Sequence, residues 1–258
     1  MLEIEQQLRN SISGEVKFDA FSKVLYSTDA SIYQMEPLGV VIPRDNEDVL
    51  AVIDVARANN VPLLPRGGGT SLAGQTVNHA IVMDFSKYMN SVIQVNPEEQ
   101  WAIVQPGVVI DQLNKITSNS GLQYAPDPST SNRASIGGGI GNNSCGSHSI
   151  LYGKTSDHIL EVHTALSNGD EAHFKTLDRA ALKAKLTGEN FESSIYRHVL
   201  RISEENKDEI MSRYPKIMRR VSGYNIDQFL SKDAVNLSHM LVGSEGPLGI
   251  ITSAKVNL

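Results

Sequence analysis

The chain has 258 residues, 40% apolar and 20% charged, with 29 acidic against 23 basic side chains and a formal charge of −6. That length allows one large domain or two modest ones with a real core, the apolar fraction excludes disorder, and the single Cys145 excludes a disulfide framework. No apolar run approaches the roughly 20 residues that cross a bilayer, the polar start Met1–Asn10 has no signal-peptide core, and the acidic balance argues against non-specific nucleic-acid binding, so a cytoplasmic globular protein is expected.

After a lead-in over residues 1–36, Pro37 to Pro43 reads as a short strand ended by proline. Asp45 is a good N-cap, and Val49, Val52, Ile53 and Ala56 follow at helical spacing. Val61–Pro65 and Ala80–Phe85 read as further strands, which makes a small βαβ unit with the Pro65–Val77 loop at its functional edge. Trp101–Gln105 carries strand formers, and Val109–Ser118 reads as a helix with Leu113 and Ile116 inward and Gly121 as its stop. Gln123–Ser149 reads as one long functional loop.

His158–Leu166 is a predicted strand ending in the tight turn Ser167–Asp170. His158 and His163, five apart on that strand, face opposite sides and make no metal site with His173. Asp178–Tyr214 is helical around Ile195, Val199 and Ile202, with Glu204–Glu209 as a solvated face, and Ile250–Leu258 alternates like a strand.

The 20 glycines are average in number but gather at Gly67–Gly69, at Gly137–Gly139 with Gly141 and Gly146, and at Gly243, Gly246 and Gly249. Backbone must therefore come close to something in three places. In the first cluster, Arg66, Gly67, Gly68, Gly69, Thr70 and Ser71 follow a strand and combine turning N–H groups, hydroxyls and a fixed charge, which is phosphate-binding chemistry. Gly69 to Thr76 misses the P-loop by one residue and puts Gln75 where lysine is required, so NTP hydrolysis ranks last. The dinucleotide fingerprint also fails: Leu72 and Ser144 stand where the third glycine belongs.

Four ordered stretches, Pro65–Ser71, Ala125–Thr130, Ser135–Gly146 and Gly243–Ile250, together resemble the FAD-binding domain of the vanillyl-alcohol-oxidase/p-cresol-methylhydroxylase superfamily. Within it the chain is similar to the FAD-linked oxidase branch of glycolate oxidase flavin subunits, D-lactate dehydrogenases and D-2-hydroxyglutarate dehydrogenases. Gly141–Gly146, Tyr152–Thr155 and Arg219–Asn225 resemble long members that also carry an iron–sulfur half. The resemblance implies an α+β fold in two subdomains: a small βαβ subdomain over about 37–90, and a larger, mostly antiparallel sheet flanked by helices over about 91–258.

It also implies a place for each loop. Arg66–Ser71 with Gly74 and Gln75 would hold the FAD pyrophosphate through backbone amides. Asp127, Pro128 and Ser129 would lie beside the flavin, while Ser135, Ile136, Gly137, Gly138, Gly139, Asn142, Ser144 and Gly146 would line the cofactor's length. Glu245, Gly246, Gly249 and Ile250 would close over it. No histidine stands in the first loop, so FAD is expected to be non-covalent; His148 is read as a surface or supporting histidine and Cys145 as a small buried apolar residue. Arg219 and Arg220 either meet a substrate carboxylate or form a solvated basic turn.

The activity implied is oxidation of a 2-hydroxy acid such as D-lactate, glycolate or D-2-hydroxyglutarate by hydride transfer to FAD, with electrons passing to an iron–sulfur domain or subunit. The catalytic base is not assigned, no metal is expected, and the chain is expected to be a fragment without the cap domain. The alternative is a stand-alone FAD-binding electron-transfer subunit acting with a partner chain.

Overall fold

The computed structural model describes residues 1–230 and 234–258. The first layer begins earlier than its sequence signal. Helix α1 (Leu2–Ser11) turns Ile4 and Leu8 inward, four residues apart on one face. Strand β1 (Glu15–Lys17) and helix α2 (Ala20–Tyr26) follow, the latter capped by Asp19, whose carboxylate accepts from the Ser22 N–H at 2.9 Å. Then come β2 (Gly39–Ile42), α3 (Asn46–Ala58), β3 (Leu63–Arg66) and β4 (Ile81–Asp84).

These strands form one sheet in the order β1-β2-β4-β3, with β2, β4 and β3 parallel and β1 antiparallel at the edge. The expected strand–helix–strand unit is present, but β4 lies between its two strands. All four expected inward positions of α3, Val49, Val52, Ile53 and Ala56, are buried, and Asp45 caps the helix as its sequence indicates. Residues 1–36 are more than a lead-in: β1 is a strand of this sheet, and α1 contributes Ile4 and Leu8 to the core cluster that holds Val49 and Val52 of α3.

The second layer contains β5 (Val92–Asn96), β6 (Trp101–Val104), α4 (Ile110–Thr117), α5 (Ile136–Asn142), α6 (Ser149–Tyr152), β7 (Ile159–Ala165) and β8 (Glu171–Asp178). Helices α7 (Arg179–Thr187), α8 (Phe191–Glu205) and α9 (Lys207–Arg213) follow, then β9 (Ala234–Asn236), α10 (Ser238–Leu241) and β10 (Ile250–Asn257). Its sheet is antiparallel throughout, in the order β5-β6-β10-β7-β8-β9, so the last strand sits in the middle. Ile250, Thr252, Ala254 and Val256 of β10 alternate inward, as the sequence periodicity requires. The α+β expectation holds.

Ala102, Val104, Val162 and Phe174 of this sheet pack against Leu113 of α4, Ile140 of α5, Leu182 of α7 and Tyr196 of α8. On α4 the inward residues are Ile110, Leu113 and Thr117, while Ile116 faces solvent. Ile202 of α8 is likewise exposed, because Tyr196, Val199 and Ser203 form the buried stripe. His158 is buried just before β7 and donates to the Tyr152 carbonyl at 2.8 Å; His163 stacks on His173 with ring centroids 3.9 Å apart. A second apolar cluster joins the layers, with Ala165 and Ile250 packed among Val41, Ile81, Met83 and Phe85. No helix among the described residues is long and apolar enough to cross a membrane.

Candidate cofactor-binding cleft

The cleft opens where the parallel strand β3 ends against the second layer. Gly67 and Gly68 are the first residues past β3, and their lack of a side chain sets the spacing. A Cβ on Gly67 would lie 2.0 Å from the Ser135 hydroxyl oxygen, and one on Gly68 would lie 2.3 Å from the Arg133 carbonyl oxygen. Among the described residues, the backbone N–H groups from Gly67 to Leu72 find no protein acceptor. A run of free amides in a turning loop is an anion-binding surface.

Arg66 has a different part from the one its charge suggests. Its guanidinium donates to the carbonyl oxygens of Tyr26 at 3.2 Å, Thr76 at 2.9 Å and Thr28 at 2.8 Å, and it lies 5.3 Å from the Tyr26 ring centroid. Burial lowers its pKa, and the neighbouring Asp84 opposes that shift. The side chain therefore ties both ends of the glycine loop to the N-terminal segment.

The facing wall comes from α5, which falls inside the stretch expected to be one long loop. Glycine is a poor helix former, so tertiary bonds hold this helix. The Ser135 hydroxyl accepts from the Gly138 N–H at 3.3 Å, the Gly137 N–H donates to Pro106 at 2.9 Å, and the Ile136 N–H to Val108 at 2.8 Å. Asn143 ends the helix in the left-handed region with its side chain bonded to the Ser156 N–H at 3.0 Å.

The far rim is the loop before β10. Gly243, Glu245 and Gly246 all have positive φ, at 82°, 61° and 103°. The Glu245 N–H donates to Gly141 at 2.9 Å, and its carboxylate accepts from the Gln75 side chain at 3.1 Å across the cleft.

The cleft has a volume of about 420 Å³. Of the expected site residues, Arg66, Gly67, Gly68, Gly69, Thr70, Ser71, Gln75, Pro128, Ser129, Ser135, Gly138, Gly139, Asn142, Ser144, Glu245, Gly246 and Gly249 line it. Gly74 lies outside against the Tyr33 ring, and Ile136 and Ile250 are turned into the two cores. Gly146 packs on the Asp127 carbonyl oxygen.

Asp127 also lies outside, because its carboxylate holds the loop after Cys145. It accepts from the His148 imidazole, from the His148 N–H at 3.2 Å and from the Ser147 hydroxyl at 3.2 Å. Burial raises its pKa, but these hydrogen bonds lower it further, and the net shift is downward. His148 is accordingly an exposed supporting residue.

Cys145 lines the cleft and is half-buried, where a buried residue beside the cofactor is expected. The lining also includes Gly137, inside the expected Ser135–Gly139 stretch, and Pro106, Gly141, Val221 and Ser244, which lie outside the expected site residues. Gly137 and Gly141 carried a signal in their glycine run. Pro106 carried none, since its place depends on β6 ending beside α5. Val221 separates this cleft from a second cavity of about 430 Å³ lined by Arg213, Tyr214, Arg219 and Arg220. There Arg220 pairs with Asp227 at 2.7 Å beneath the Tyr214 ring, and Arg219 donates to Gly146 at 2.9 Å.

The sequence profile of the FAD binding domain family matches residues 37–175, which cover both glycine walls of the cleft. The chain belongs to the FAD binding domain family. A D-2-hydroxyglutarate dehydrogenase of Pseudomonas putida is 39% identical to this FAD binding domain, over 99% of the chain and 26% of that protein. The glycolate oxidase subunit GlcD of Bacillus subtilis is 30% identical over 99% of the chain and 44% of its own length. The mitochondrial cytochrome-type D-lactate dehydrogenase of Kluyveromyces lactis is 26% identical over 98% of the chain and 36% of its own length.

The chain thus spans about a quarter of the first relatives it matches. A solved structure of alkyldihydroxyacetonephosphate synthase superposes with a TM-score of 0.69 at 20% identity, covering 100% of this chain and 41% of that one, which establishes the shared fold. FAD is the cofactor of this family, and the cleft fits it. The unpaired N–H groups from Gly67 to Leu72 suit a pyrophosphate, the lack of side chains at Gly67 and Gly68 lets that loop sit directly against Ser135 and Arg133, and the buried Gln75 Oε1 has no protein partner.

Proposed function

We propose that this FAD binding domain serves an oxidoreductase that oxidises a 2-hydroxy acid, with D-2-hydroxyglutarate, D-lactate and glycolate as the substrate class. The observation that carries this reading is the 39% identity to a D-2-hydroxyglutarate dehydrogenase along 99% of the chain. Bound FAD supplies the hydride acceptor for the substrate carbon.

The chain's own residues bind and orient. The Gly67–Leu72 amides fix the anionic centre, α5 presents a side-chain-free wall at Gly137–Gly139, and the Gly243–Gly249 loop closes the far rim. We also propose that the cofactor is held non-covalently. No histidine lines the cleft among the described residues, and the His148 imidazole is held outside by Asp127. The electron acceptor in this proposal is an iron–sulfur domain or subunit.

The test uses the protein encoded by the whole reading frame that contains this chain. Anaerobic addition of D-2-hydroxyglutarate, D-lactate or glycolate should bleach the flavin absorbance, and acid precipitation should release free FAD. A flavin that stays oxidised with all three acids overturns the reading of the substrate class. Flavin that stays with the precipitated protein overturns the non-covalent one.

A further inference from the structure

Gln75 and Glu245 meet across the mouth of the cleft from loops 170 residues apart, at 3.1 Å between Nε2 and Oε1. A carboxylate only accepts, so the amide must turn its NH₂ toward Glu245 and its oxygen away. That oxygen, Gln75 Oε1, is buried and has no donor in the protein. An unpaired buried acceptor costs roughly what a lost hydrogen bond does unless a ligand supplies the donor.

Glu245 is held for the same task. Its backbone sits at φ 61°, a left-handed conformation that a residue with a side chain rarely adopts, between glycines at 82° and 103°. The N–H bond to Gly141 fixes it there. The result is a pair of acceptors, an amide oxygen and a carboxylate, on residues that line the same cavity as the unpaired N–H groups of Gly67–Leu72. A phosphate suits the amides, but beside Glu245 it would meet like charge and find no donor in Gln75 Oε1.

From this division we infer that Gln75 and Glu245 form a hydroxyl-reading subsite, which takes a sugar or ribityl hydroxyl of FAD beside the pyrophosphate and leaves the pyrophosphate to the glycine loop. The expected pyrophosphate contact of Gln75 is through its backbone amide, so this side-chain contact is additional to it. The inference concerns the cofactor alone and stands apart from the identity of the 2-hydroxy acid.

The experiment measures dissociation constants of FAD, FMN and ADP by flavin fluorescence quenching and calorimetry on the apo-protein. Two variants are compared with the parent. Glu245→Gln keeps the shape but offers Gln75 Oε1 a protein donor, and Gln75→Leu removes the acceptor at an unstrained position. Each should weaken FAD by about tenfold, the size expected for one hydrogen bond involving a charged or buried partner, with an unchanged circular dichroism spectrum. Because the two variants change different loops, failure of one to fold leaves the other to decide.

FMN carries the ribityl hydroxyls and ADP the adenosine ribose. A parallel loss with FMN alone assigns the ribityl chain, and a parallel loss with ADP alone assigns the ribose. Unchanged affinity for all three overturns the subsite. Tighter FAD binding by Glu245→Gln also overturns it, since that result would mean that the carboxylate faces a phosphate.

Discussion

Gly67 and Ser135 meet with no space between them: a Cβ on the glycine would stand 2.0 Å from the serine hydroxyl oxygen. That hydroxyl also accepts from the Gly138 N–H, so moving it aside uncaps α5. At Gly68 the obstacle is the Arg133 carbonyl oxygen, 2.3 Å from where a methyl carbon would sit, and backbone cannot rotate away. Gly67→Ala and Gly68→Ala should each destabilise the domain by roughly 1–3 kcal/mol, the usual cost of overpacking, and weaken FAD by at least about tenfold. Gly121→Asn is the control, because nothing lies within 4 Å of its Cβ position and asparagine tolerates its φ of 68°. Equal FAD affinity in all three variants would contradict the close approach.

Arg66→Lys should loosen the glycine loop while keeping the charge. A lysine ammonium cannot span three carbonyls as the planar guanidinium does. The expected cost is about 1–2 kcal/mol in urea unfolding, with faster proteolysis between residues 67 and 76. If Arg66 instead acted as a phosphate-binding charge, lysine would preserve FAD affinity and loop protection together, and that outcome would remove the tethering role.

Asp48 fastens the N-terminal segment to the first sheet. Its buried carboxylate accepts from the Ser13 N–H at 2.7 Å, from the Ser13 hydroxyl, and from the Arg44 N–H at 2.8 Å. Asp48→Ala leaves these donors without a partner and should cost about 2–4 kcal/mol. Deleting residues 1–14 should be at least as damaging, since Ile4 and Leu8 leave the core. Chemical denaturation of both variants measures this, and a deletion that unfolds at the parent's midpoint would restore the segment to a dispensable lead-in.

Local signals and long-range contacts account for what the sequence showed and what it hid. The Asp45 cap, the Val49–Ala56 stripe and the alternation from Ile250 are written in neighbouring residues, and each matches the structure. The glycine clusters were legible because close backbone approach excludes a side chain wherever it occurs. Helix α5 was hidden, since a run of glycines has little helical tendency and owes its form to Pro106 and Val108. The direction of Arg66 and the pairing of Gln75 with Glu245 were hidden for a related reason: each depends on residues brought together only by packing. The N-terminal strand was missed because three residues, Glu15–Lys17, carry no period long enough to read.

Glu15 gives the first sheet a pH dependence whose sign can be worked out. Its carboxylate accepts from Lys17, Lys87 and the Tyr88 hydroxyl, and these bonds lower its pKa from 4.5 to about 2. A carboxylate with a depressed folded-state pKa contributes its full stability above 4.5 and loses it as pH falls toward about 2. The site is near the surface, so the gain is screened and should fall within about 0.2–1 kcal/mol. Glu15→Gln should therefore lower stability at neutral pH by that amount, with the gap from the parent narrowing below pH 4.5 and shrinking in high salt. Urea titrations at several pH values check it: a gap that stays constant down to acid pH would show that the side chain acts through packing, with its charge playing no part.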